Sequence, residues 1–437
     1  MRDPVRRIFL LAFIQLVMLA GCGGGSGDLS ASSSSSSSSA TGSNVVSMTM
    51  DTGPTGATGN FNIPYVNVTI CAPGSTTNCQ TIDHVEVDTG SYGVRIISSI
   101  LNSTLLNALT QETVSNSGTA TPLVECTMFG DGYSWGSMRI ADVELGGEKA
   151  ASQPVQVIGD QDSLNNVPSV CSNTGPQEDT LAQFGAKGII GVGPFVQDCG
   201  TACVDSTQYG FYWACPANAT GSTACTETQV TLNQQAANPV YSFTTDNNGV
   251  ILELPSIADS GSASPTGSLV FGIGTQSNNG LGSATVLTTN DSGFISVNFN
   301  GSTFSESFID SGSNLLYFTD TNNGTPTGTS NINTCTINGQ TPSQSNPSFF
   351  CPSSELSLSA TNEGQNNATS TVSFNVANAQ TQFNNDNGNY TAFDNVAAPN
   401  ATADEFDFGL PFFYGKKVFT AIQGMNTSGG QGPYFAY

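Results

Sequence analysis

One short pattern occurs twice in this chain of 437 residues, and it constrains the fold more than any other feature. At residues 85–91 a β-favouring run leads into Asp-Thr-Gly-Ser, and at residues 308–316 an apolar pair leads into Asp-Ser-Gly-Ser followed by another apolar run. A single Asp-Thr-Gly, such as the one at residues 51–53, is more typical of a turn. Two copies in matching contexts predict two related lobes, each presenting an aspartate on a tight loop after a strand.

The rest of the sequence favours β structure. Only 10% of the residues are charged and 37% are hydrophobic, while glycine, serine, threonine and asparagine fill the difference. Many short runs alternate between apolar and polar residues, for example residues 65–70 and 371–376. We therefore predict an all-β chain with an N-terminal lobe at residues 45–280 and a C-terminal lobe at residues 281–437. A cysteine-rich segment near residues 197–235 is predicted to be an insertion in the first lobe.

The N-terminus has the features of an export signal. Three arginines within the first seven residues precede an apolar stretch at residues 8–20, which is short for a membrane span. The following Leu-Ala-Gly-Cys resembles a bacterial lipobox, so residues 1–21 are predicted to be a lipoprotein signal peptide and Cys22 the lipidated residue. The alternative is an ordinary signal peptide that happens to contain a cysteine. Residues 22–44, rich in glycine and serine, are predicted to be a flexible tether.

The predicted lipoprotein signal indicates an extracytoplasmic protein that is anchored through lipid to the bacterial cell envelope. Glycine, not aspartate, follows Cys22, which favours the outer membrane. If Cys22 is lipidated, ten of the eleven cysteines remain, an even number that indicates disulfides in an exported chain. Proximity in sequence favours Cys71–Cys79 and Cys335–Cys351, and elimination leaves Cys126–Cys171. The alternative is a zinc site built on Cys199, Cys203, Cys215 and Cys225.

Several other chemistries are disfavoured. The formal net charge is −24, so nucleic acid is not an expected partner. His84 is the only histidine and lies on a predicted strand four residues before Asp88, which argues against both a Ser-His-Asp triad and a histidine-rich metal site. Gly272 and Gly274 lack the third glycine and the following helix of a dinucleotide site. We expect no metal and no cofactor.

Two neighbouring carboxyls have a defined chemistry of their own. Because two like charges at close range are costly, such a pair shares one proton. One carboxylate can then take a proton from a water molecule while the other carboxyl protonates a carbonyl oxygen. This arrangement hydrolyses an amide bond without a nucleophilic side chain or a metal ion.

From about residue 63 to the C-terminus, the chain resembles the pepsin-like aspartic peptidases. The doubled motif carries the resemblance, together with the apolar and glycine run at residues 188–193, which is similar to the element beneath the first aspartate of that family. Residues 408–413 are a looser counterpart in the second lobe, and the Phe-Gly-Asp-Gly hairpin at residues 129–132 resembles the flap. The resemblance implies an all-β, two-lobed double β-barrel with a catalytic cleft between the lobes.

The resemblance also implies a role for each matching residue. Asp88 and Asp310 are expected to be catalytic. The hydroxyls of Thr89 and Ser311 are expected to brace the loops against each other, and those of Ser91 and Ser313 to bind the outer carboxylate oxygens. The complete set of loop-bracing and hydrogen-bonding residues is Thr89, Gly90, Ser91, Ser311, Gly312 and Ser313.

The expected flap residues are Phe129, Gly130, Asp131 and Gly132. The family usually has a tyrosine where this chain has Phe129, so the flap hydroxyl is missing. A second departure follows the first motif, where the usual apolar and aromatic run is replaced by Tyr-Gly-Val-Arg at residues 92–95.

The first functional hypothesis is a monomeric aspartic endopeptidase that cleaves extended peptides or proteins at acidic pH, with a bias for apolar side chains. The second is a surface or binding lipoprotein with the same fold and little or no turnover. A third is a structural envelope protein, which would need neither aspartate. The two intact motifs favour the first hypothesis, and the missing flap tyrosine favours the second.

Overall fold

A computed structural model describes residues 43–116, 118–160, 167–216, 225–320, 332–337, 348–400 and 402–437. It confirms the predicted all-β class and the two-lobed, pepsin-like arrangement. The predicted signal peptide, the lipidation site Cys22 and the tether, apart from its last two residues, lie outside the described residues. No helix in the described part of the chain is long and apolar enough to cross a membrane.

Short strands make up most of the described chain. Those of the first half are β1 (Val45–Thr49), β2 (Tyr65–Cys71), β3 (Cys79–Asp88), β4 (Tyr92–Ile97), β5 (Thr110–Gln111), β6 (Thr113–Asn116), β7 (Thr119–Met128), β8 (Tyr133–Leu145), β9 (Glu148–Ile158), β10 (Gly188–Val192), β11 (Tyr212–Ala214), β12 (Thr226–Glu227), β13 (Gly249–Glu253) and β14 (Thr266–Phe271). Those of the second half are β15 (Val286–Thr288), β16 (Ile295–Phe299), β17 (Ser302–Ile309), β18 (Leu316–Phe318), β19 (Thr334–Cys335), β20 (Phe349–Phe350), β21 (Leu356–Glu363), β22 (Thr369–Val376), β23 (Ala397–Pro399), β24 (Asp407–Phe408), β25 (Lys417–Ala421), β26 (Asn426–Thr427), β27 (Gly430–Gln431) and β28 (Tyr434–Ala436).

The helices are short and lie in the connections. They are α1 (Ser103–Ala108), α2 (Ser169–Ser172), α3 (Leu181–Phe184), α4 (Thr201–Asp205) and α5 (Ala379–Phe383). Single 3₁₀ turns occupy Ser98–Ile100, Leu232–Gln234, Pro239–Ser242, Asn385–Gly388 and Leu410–Phe413.

Six strands of the first half close into a barrel. In order around the barrel they are β2, β3, β10, β4, β9 and β8, and β8 pairs with β2 again. The alternating residues Val66, Val68 and Ile70 of β2 are buried in its core. Each such side chain contributes about 2 kcal/mol to folding. Closure makes this lobe a stiff support for the loop that follows β3.

The second half forms an open sheet in the order β22, β21, β16, β17, β24, β18 and β23. Phenylalanines dominate its core. The rings of Phe318 and Phe406 stack with centroids 4.9 Å apart, and Phe299 meets both rings edge-on. This packing holds β17 and β24 side by side beneath the second aspartate.

A central antiparallel sheet joins the two halves in the order β1, β14, β13, β25, β28 and β15. It brings the first described strand and the last into one layer, so the two lobes share a base. The predicted lobe limit at residue 281 falls between β14 and β15, and the exact limits stay a prediction.

Five disulfides stabilise the connections and use all ten cysteines of the described residues. The predicted pairs Cys71–Cys79, Cys126–Cys171 and Cys335–Cys351 are confirmed. The alternative zinc site is wrong, because its four cysteines form the bonds Cys199–Cys203 and Cys215–Cys225. Disulfides on this scale indicate an extracytoplasmic protein.

Candidate active site

Both copies of the doubled motif follow the same backbone plan. The strand β3 ends at Asp88 and runs parallel to β10, which places Gly191 opposite Asp88. The strand β17 ends just before Asp310 and runs parallel to β24, which is followed by Gly409. A Cβ atom at Gly191 or Gly409 would collide with the backbone of the loop beside it. The two glycines therefore let each aspartate loop lie directly on a supporting strand.

The second supporting strand is not where the sequence pattern placed it. The sequence matched this element to residues 408–413, whereas the strand is Asp407–Phe408 and Leu410–Phe413 forms a 3₁₀ turn. The mismatch has a simple cause, because Asp407 interrupts the apolar pattern at the position where the strand begins.

The two loops bring Asp88 and Asp310 together. A Cβ atom at Gly90 would lie 2.6 Å from the carboxyl carbon of Asp310, and one at Gly312 would lie 2.6 Å from the carboxyl carbon of Asp88. Each glycine thus makes room for the opposite carboxyl. The two carboxyl groups are close enough for the Asp88 carboxyl to raise the pKa of Asp310.

Thr89 and Ser311 join the loops across the interface between the lobes. The Thr89 amide donates to Ser311 Oγ at 3.1 Å, and the Ser311 amide donates to Thr89 Oγ1 at 2.9 Å. Each hydroxyl in turn donates to a carbonyl of the opposite lobe, that of Ile309 at 3.3 Å and that of Val87 at 2.7 Å. Because Thr89 and Ser311 are buried, these four bonds fix the relative position of the two carboxyls without competition from water.

Each carboxyl also accepts a hydrogen bond within its own loop. The Gly90 amide donates to Asp88 Oδ1 at 2.6 Å, and the Gly312 amide donates to Asp310 Oδ1 at 2.8 Å. Ser313 Oγ donates to the other oxygen of Asp310, Oδ2, at 3.0 Å. The corresponding bond from Ser91 to Asp88, implied by the family resemblance, is not formed: Ser91 Oγ is buried and has no hydrogen-bond partner among the described residues.

The electrostatics of the pair favour a bound proton. The pKa of Asp310 is raised well above its usual value, first because its carboxyl is removed from water and then because the Asp88 carboxyl lies against it. The Gly312 amide and the Ser313 hydroxyl act in the opposite direction and are outweighed. Asp310 is therefore a member of the pair that favours a bound proton.

The four predicted flap residues form the tip of the β7–β8 hairpin. The Phe129 amide donates to the Gly132 carbonyl at 2.8 Å, which closes the turn. The Phe129 ring packs edge-on against Phe184 at the end of α3, with centroids 5.9 Å apart. The Phe129 ring at the hairpin tip is thus engaged by an apolar contact.

A second segment secures the hairpin, and the sequence analysis missed it. The Tyr133 amide donates to the Pro176 carbonyl at 3.0 Å, and the Glu178 amide donates to the Tyr133 carbonyl at 2.8 Å. The disulfide Cys126–Cys171 ties the same two segments together. The predicted disulfide was the only sequence signal for this contact.

Additional carboxyls lie around the pair. Glu178 is buried and interacts with Asp131 of the hairpin tip; burial first and Asp131 second raise the pKa of Glu178 to about 10. The pKa of Glu86, two residues before Asp88, is raised well above its usual value by burial and then by Asp88, Asp131 and Asp310. This end of the cleft is therefore acidic and favours protonated carboxyls.

A buried arginine lies under the first loop and was also missed. Arg95 donates to Glu125 Oε1 at 2.6 Å and to Thr127 Oγ1 at 2.6 Å, and its Nη2 lies 3.6 Å from Asp198 Oδ2. Arg95 and Asp198 line a small cavity with Ser91 at the base of the hairpin. The sequence signal was a single basic residue inside an apolar strand of a chain with only nine lysines and arginines.

Fold and loops together define a two-lobed, pepsin-like all-β protein with a carboxyl pair at the lobe interface. The chain belongs to the family described as "Protein of unknown function (DUF3443)", whose model matches residues 40–437. No curated protein matches the chain. A solved structure that it is similar to is the aspartic proteinase from Irpex lacteus, at 15% sequence identity and a TM-score of 0.48, with 90% of this chain and 96% of that chain covered.

Proposed function

We propose that this chain is an aspartic endopeptidase that hydrolyses peptide bonds with a water molecule activated between Asp88 and Asp310. The observation that carries the proposal is the mutual approach of the two carboxyls, each seated against the glycine of the opposite loop. The proposal extends to an extended peptide or protein substrate bound in the cleft beneath the hairpin.

The roles of the two acids follow from their surroundings. Asp310, whose pKa is raised, holds the proton and donates it to the carbonyl oxygen of the substrate. Asp88 takes a proton from the water, whose oxygen adds to the carbonyl carbon. Transfer of that proton from Asp88 to the amide nitrogen breaks the C–N bond. One hydroxyl of the tetrahedral intermediate returns its proton to Asp310 as the carbonyl re-forms, so an acid and an amine are released and the pair is again singly protonated. Activity is lost at low pH, where both carboxyls are protonated, and at high pH, where both are ionised.

The cellular setting is part of the same proposal. Lipidation of Cys22 would anchor the catalytic lobes to the outer membrane through the tether at residues 22–44. A monomer that acts on peptides in the envelope is consistent with the disulfides. A net charge of −24 argues against a nucleic-acid partner.

The test is cleavage of a mixed peptide library by the full chain between about pH 3 and 7, alongside Asp88→Asn and Asp310→Asn. We expect both variants to remain folded and to lose at least about 1000-fold in kcat/KM, because each removes one member of the acid–base pair. A statine-type transition-state mimic should block the wild type. Cleavage that survives in both variants would refute the proposal.

A second candidate function has its own observation in its favour. The hairpin tip lacks the flap hydroxyl, and its Phe129 ring packs on Phe184 while the Pro176–Glu178 segment and a disulfide secure the hairpin. These contacts favour a binding lipoprotein with little turnover. Absence of cleavage by the folded wild type, with capture of an intact peptide in the cleft, would support this candidate.

A further inference from the structure

One buried acid beside the carboxyl pair has no part in the proposed reaction. Asp407 begins β24, the strand that supports the second aspartate loop, and only 5% of its surface is exposed. Its Oδ1 atom makes no hydrogen bond within the described residues. A buried carboxyl without a full set of partners is costly, which makes Asp407 a candidate for a functional role.

The position of Asp407 links it to Asp310 through one hydroxyl. Asp407 lies opposite Phe308 in the parallel pairing of β17 and β24, two residues before Gly409. Ser313 Oγ donates to Asp310 Oδ2 at 3.0 Å and lies close enough to the Asp407 carboxyl to lower its pKa. A serine hydroxyl has one proton and two lone pairs, so it cannot donate to both carboxyls at once. With its proton committed to Asp310, Ser313 can only accept from Asp407.

The surroundings of Asp407 favour its neutral form. The charged groups that act on it are all acidic, namely Asp310, Asp88 and Glu405. Tyr317, paired with Asp407 on the neighbouring strand β18, is itself held neutral by burial and by Asp407. Burial first, and Asp310 second, raise the pKa of Asp407 well above its usual value, and they outweigh the Ser313 hydroxyl, which acts in the opposite direction. The carboxyl therefore carries the proton that the hydrogen bond to Ser313 needs.

We propose that Asp407 is a positioning residue, a neutral carboxylic acid that donates its proton to Ser313 Oγ and so holds the Ser313 proton on Asp310 Oδ2. The inference rests on the proposed peptidase function, because it concerns the setting of one member of the catalytic pair. Asp407 touches no reacting atom in this scheme. It acts on Asp310 through Ser313, by keeping a donor directed at the oxygen that faces away from the Gly312 amide.

The test compares two substitutions of Asp407 in the full chain. Asp407→Leu removes the donor, whereas Asp407→Asn keeps the shape, cannot ionise and can still donate through its amide. We expect Asp407→Leu to lower kcat about tenfold with KM unchanged and to move the acid limb of the pH profile up by about one unit, since the ionised pair loses a hydrogen bond. Asp407→Asn should keep the acid limb of the pH profile at its wild-type position.

Ser313→Ala provides the matched control, because it removes the same relay at its middle. It should reproduce the acid-limb shift of Asp407→Leu, and the double variant should shift no further. Additive shifts, or an unshifted acid limb in Asp407→Leu, would overturn the inference. A downward move of the alkaline limb in Asp407→Asn would also overturn it, because it would mean that Asp407 is ionised in the working range.

A measurement without substrate separates this inference from the function itself. The infrared difference spectrum of wild type minus Asp407→Asn at about pH 6 should show the carbonyl stretch of one protonated, buried carboxyl, because the bands of Asp310, Glu86 and Glu178 are common to both proteins and cancel. Its absence would refute a neutral Asp407 even in an active enzyme. If the wild type cleaves no peptide but the band is present, the peptidase proposal fails while the protonation of Asp407 stands.

Discussion

The two aspartate loops have one backbone plan and two different environments. In both loops an amide two residues after the aspartate binds its Oδ1, at 2.6 Å in the first loop and 2.8 Å in the second. In both, a glycine admits the opposite carboxyl at the same distance. The cross-lobe bonds of Thr89 and Ser311 complete the symmetry. Main-chain geometry thus places the two acids as equals.

Side chains then make them unequal. Ser313 donates to Asp310, whereas Ser91 makes no hydrogen bond to Asp88. Each lobe also has one additional carboxyl on the parallel strand pair that carries the aspartate loop. In the first lobe it lies two residues before the aspartate, on the strand that leads to it, and in the second lobe two residues before the supporting glycine, on the strand that leads to that glycine. Glu86 lies on the aspartate strand of the first lobe, opposite Ile189 of the glycine strand. Asp407 lies on the glycine strand of the second lobe, opposite Phe308 of the aspartate strand.

Because Glu86 and Asp407 lie on different strands of their pairs, they differ in access to solvent. Glu86 is half-buried and interacts with Asp131 of the hairpin tip, so it belongs to the cleft. Asp407 is buried behind the loop and interacts with Ser313. A symmetric scaffold with unequal neighbours is what acid–base catalysis by two identical side chains requires, because one must hold a proton while the other accepts one.

Alanine at Gly90 or Gly312 tests the symmetric part of the comparison and should have the largest effect. Each new Cβ would meet the opposite carboxyl carbon at 2.6 Å, so the loops must separate. We expect each variant to lose about 2 kcal/mol of unfolding free energy and at least about 100-fold in kcat/KM. Gly130→Ala at the hairpin tip is the control, because nothing lies within 4 Å of its added carbon. Unequal losses in the two loop variants would show that the approach is not symmetric.

The sequence predicted the symmetric part of the site better than the asymmetric part. A loop such as Asp88-Thr89-Gly90 can be predicted from neighbouring residues alone, and the second copy of the motif in the same chain supported that prediction. The β class and the disulfide Cys126–Cys171 followed from composition and counting and are confirmed.

What was missed depends on contacts between residues far apart in the chain. The register that places Asp407 against Phe308 joins segments about a hundred residues apart, and nothing local indicates on which face an acid in an apolar stretch will lie. The ion pair between Arg95 and Glu125, and the contact of Tyr133 with Pro176, have the same character. The bond from Ser91 to Asp88, which the family resemblance implied, is not formed, because the side chains around the two loops differ although their motifs match.

Removal of either cross-lobe hydroxyl should have the next largest effect. Thr89→Val leaves the Ser311 amide buried without its acceptor, and Ser311→Ala does the same to the Thr89 amide. We expect each to lower the unfolding free energy by about 1–3 kcal/mol, measured by urea denaturation. Thr89→Ser and Ser311→Thr keep the hydroxyl and should retain most of the stability. If only one of the two substitutions lowers the unfolding free energy, the cross-lobe hydrogen bonds of Thr89 and Ser311 are not equivalent.

The dependence of stability on pH tests the two additional acids. The folded-state pKa values of Glu86 and Asp407 are raised above the unfolded values of 4.5 and 3.8. The stability that each contributes is complete below its unfolded pKa and is lost as pH rises towards its folded pKa. We expect the wild-type Tm to fall by about 5 °C between pH 4 and 8. Glu86→Gln and Asp407→Asn should each flatten this decline, and a Tm that rises over the same range would contradict the raised pKa values.

The smallest expected effect distinguishes the two serines. Ser91 Oγ makes no hydrogen bond to any residue that the structure describes, so Ser91→Ala should change the unfolding free energy by no more than about 0.5 kcal/mol and leave the acid limb of the pH profile in place. Ser313→Ala removes a donor to Asp310 Oδ2 and should move that limb upward. Measuring both profiles with one peptide substrate makes each variant the control for the other. Equal shifts would mean that Ser91 serves Asp88 as Ser313 serves Asp310, and the different roles assigned to the two acids would then need a cause other than their serines.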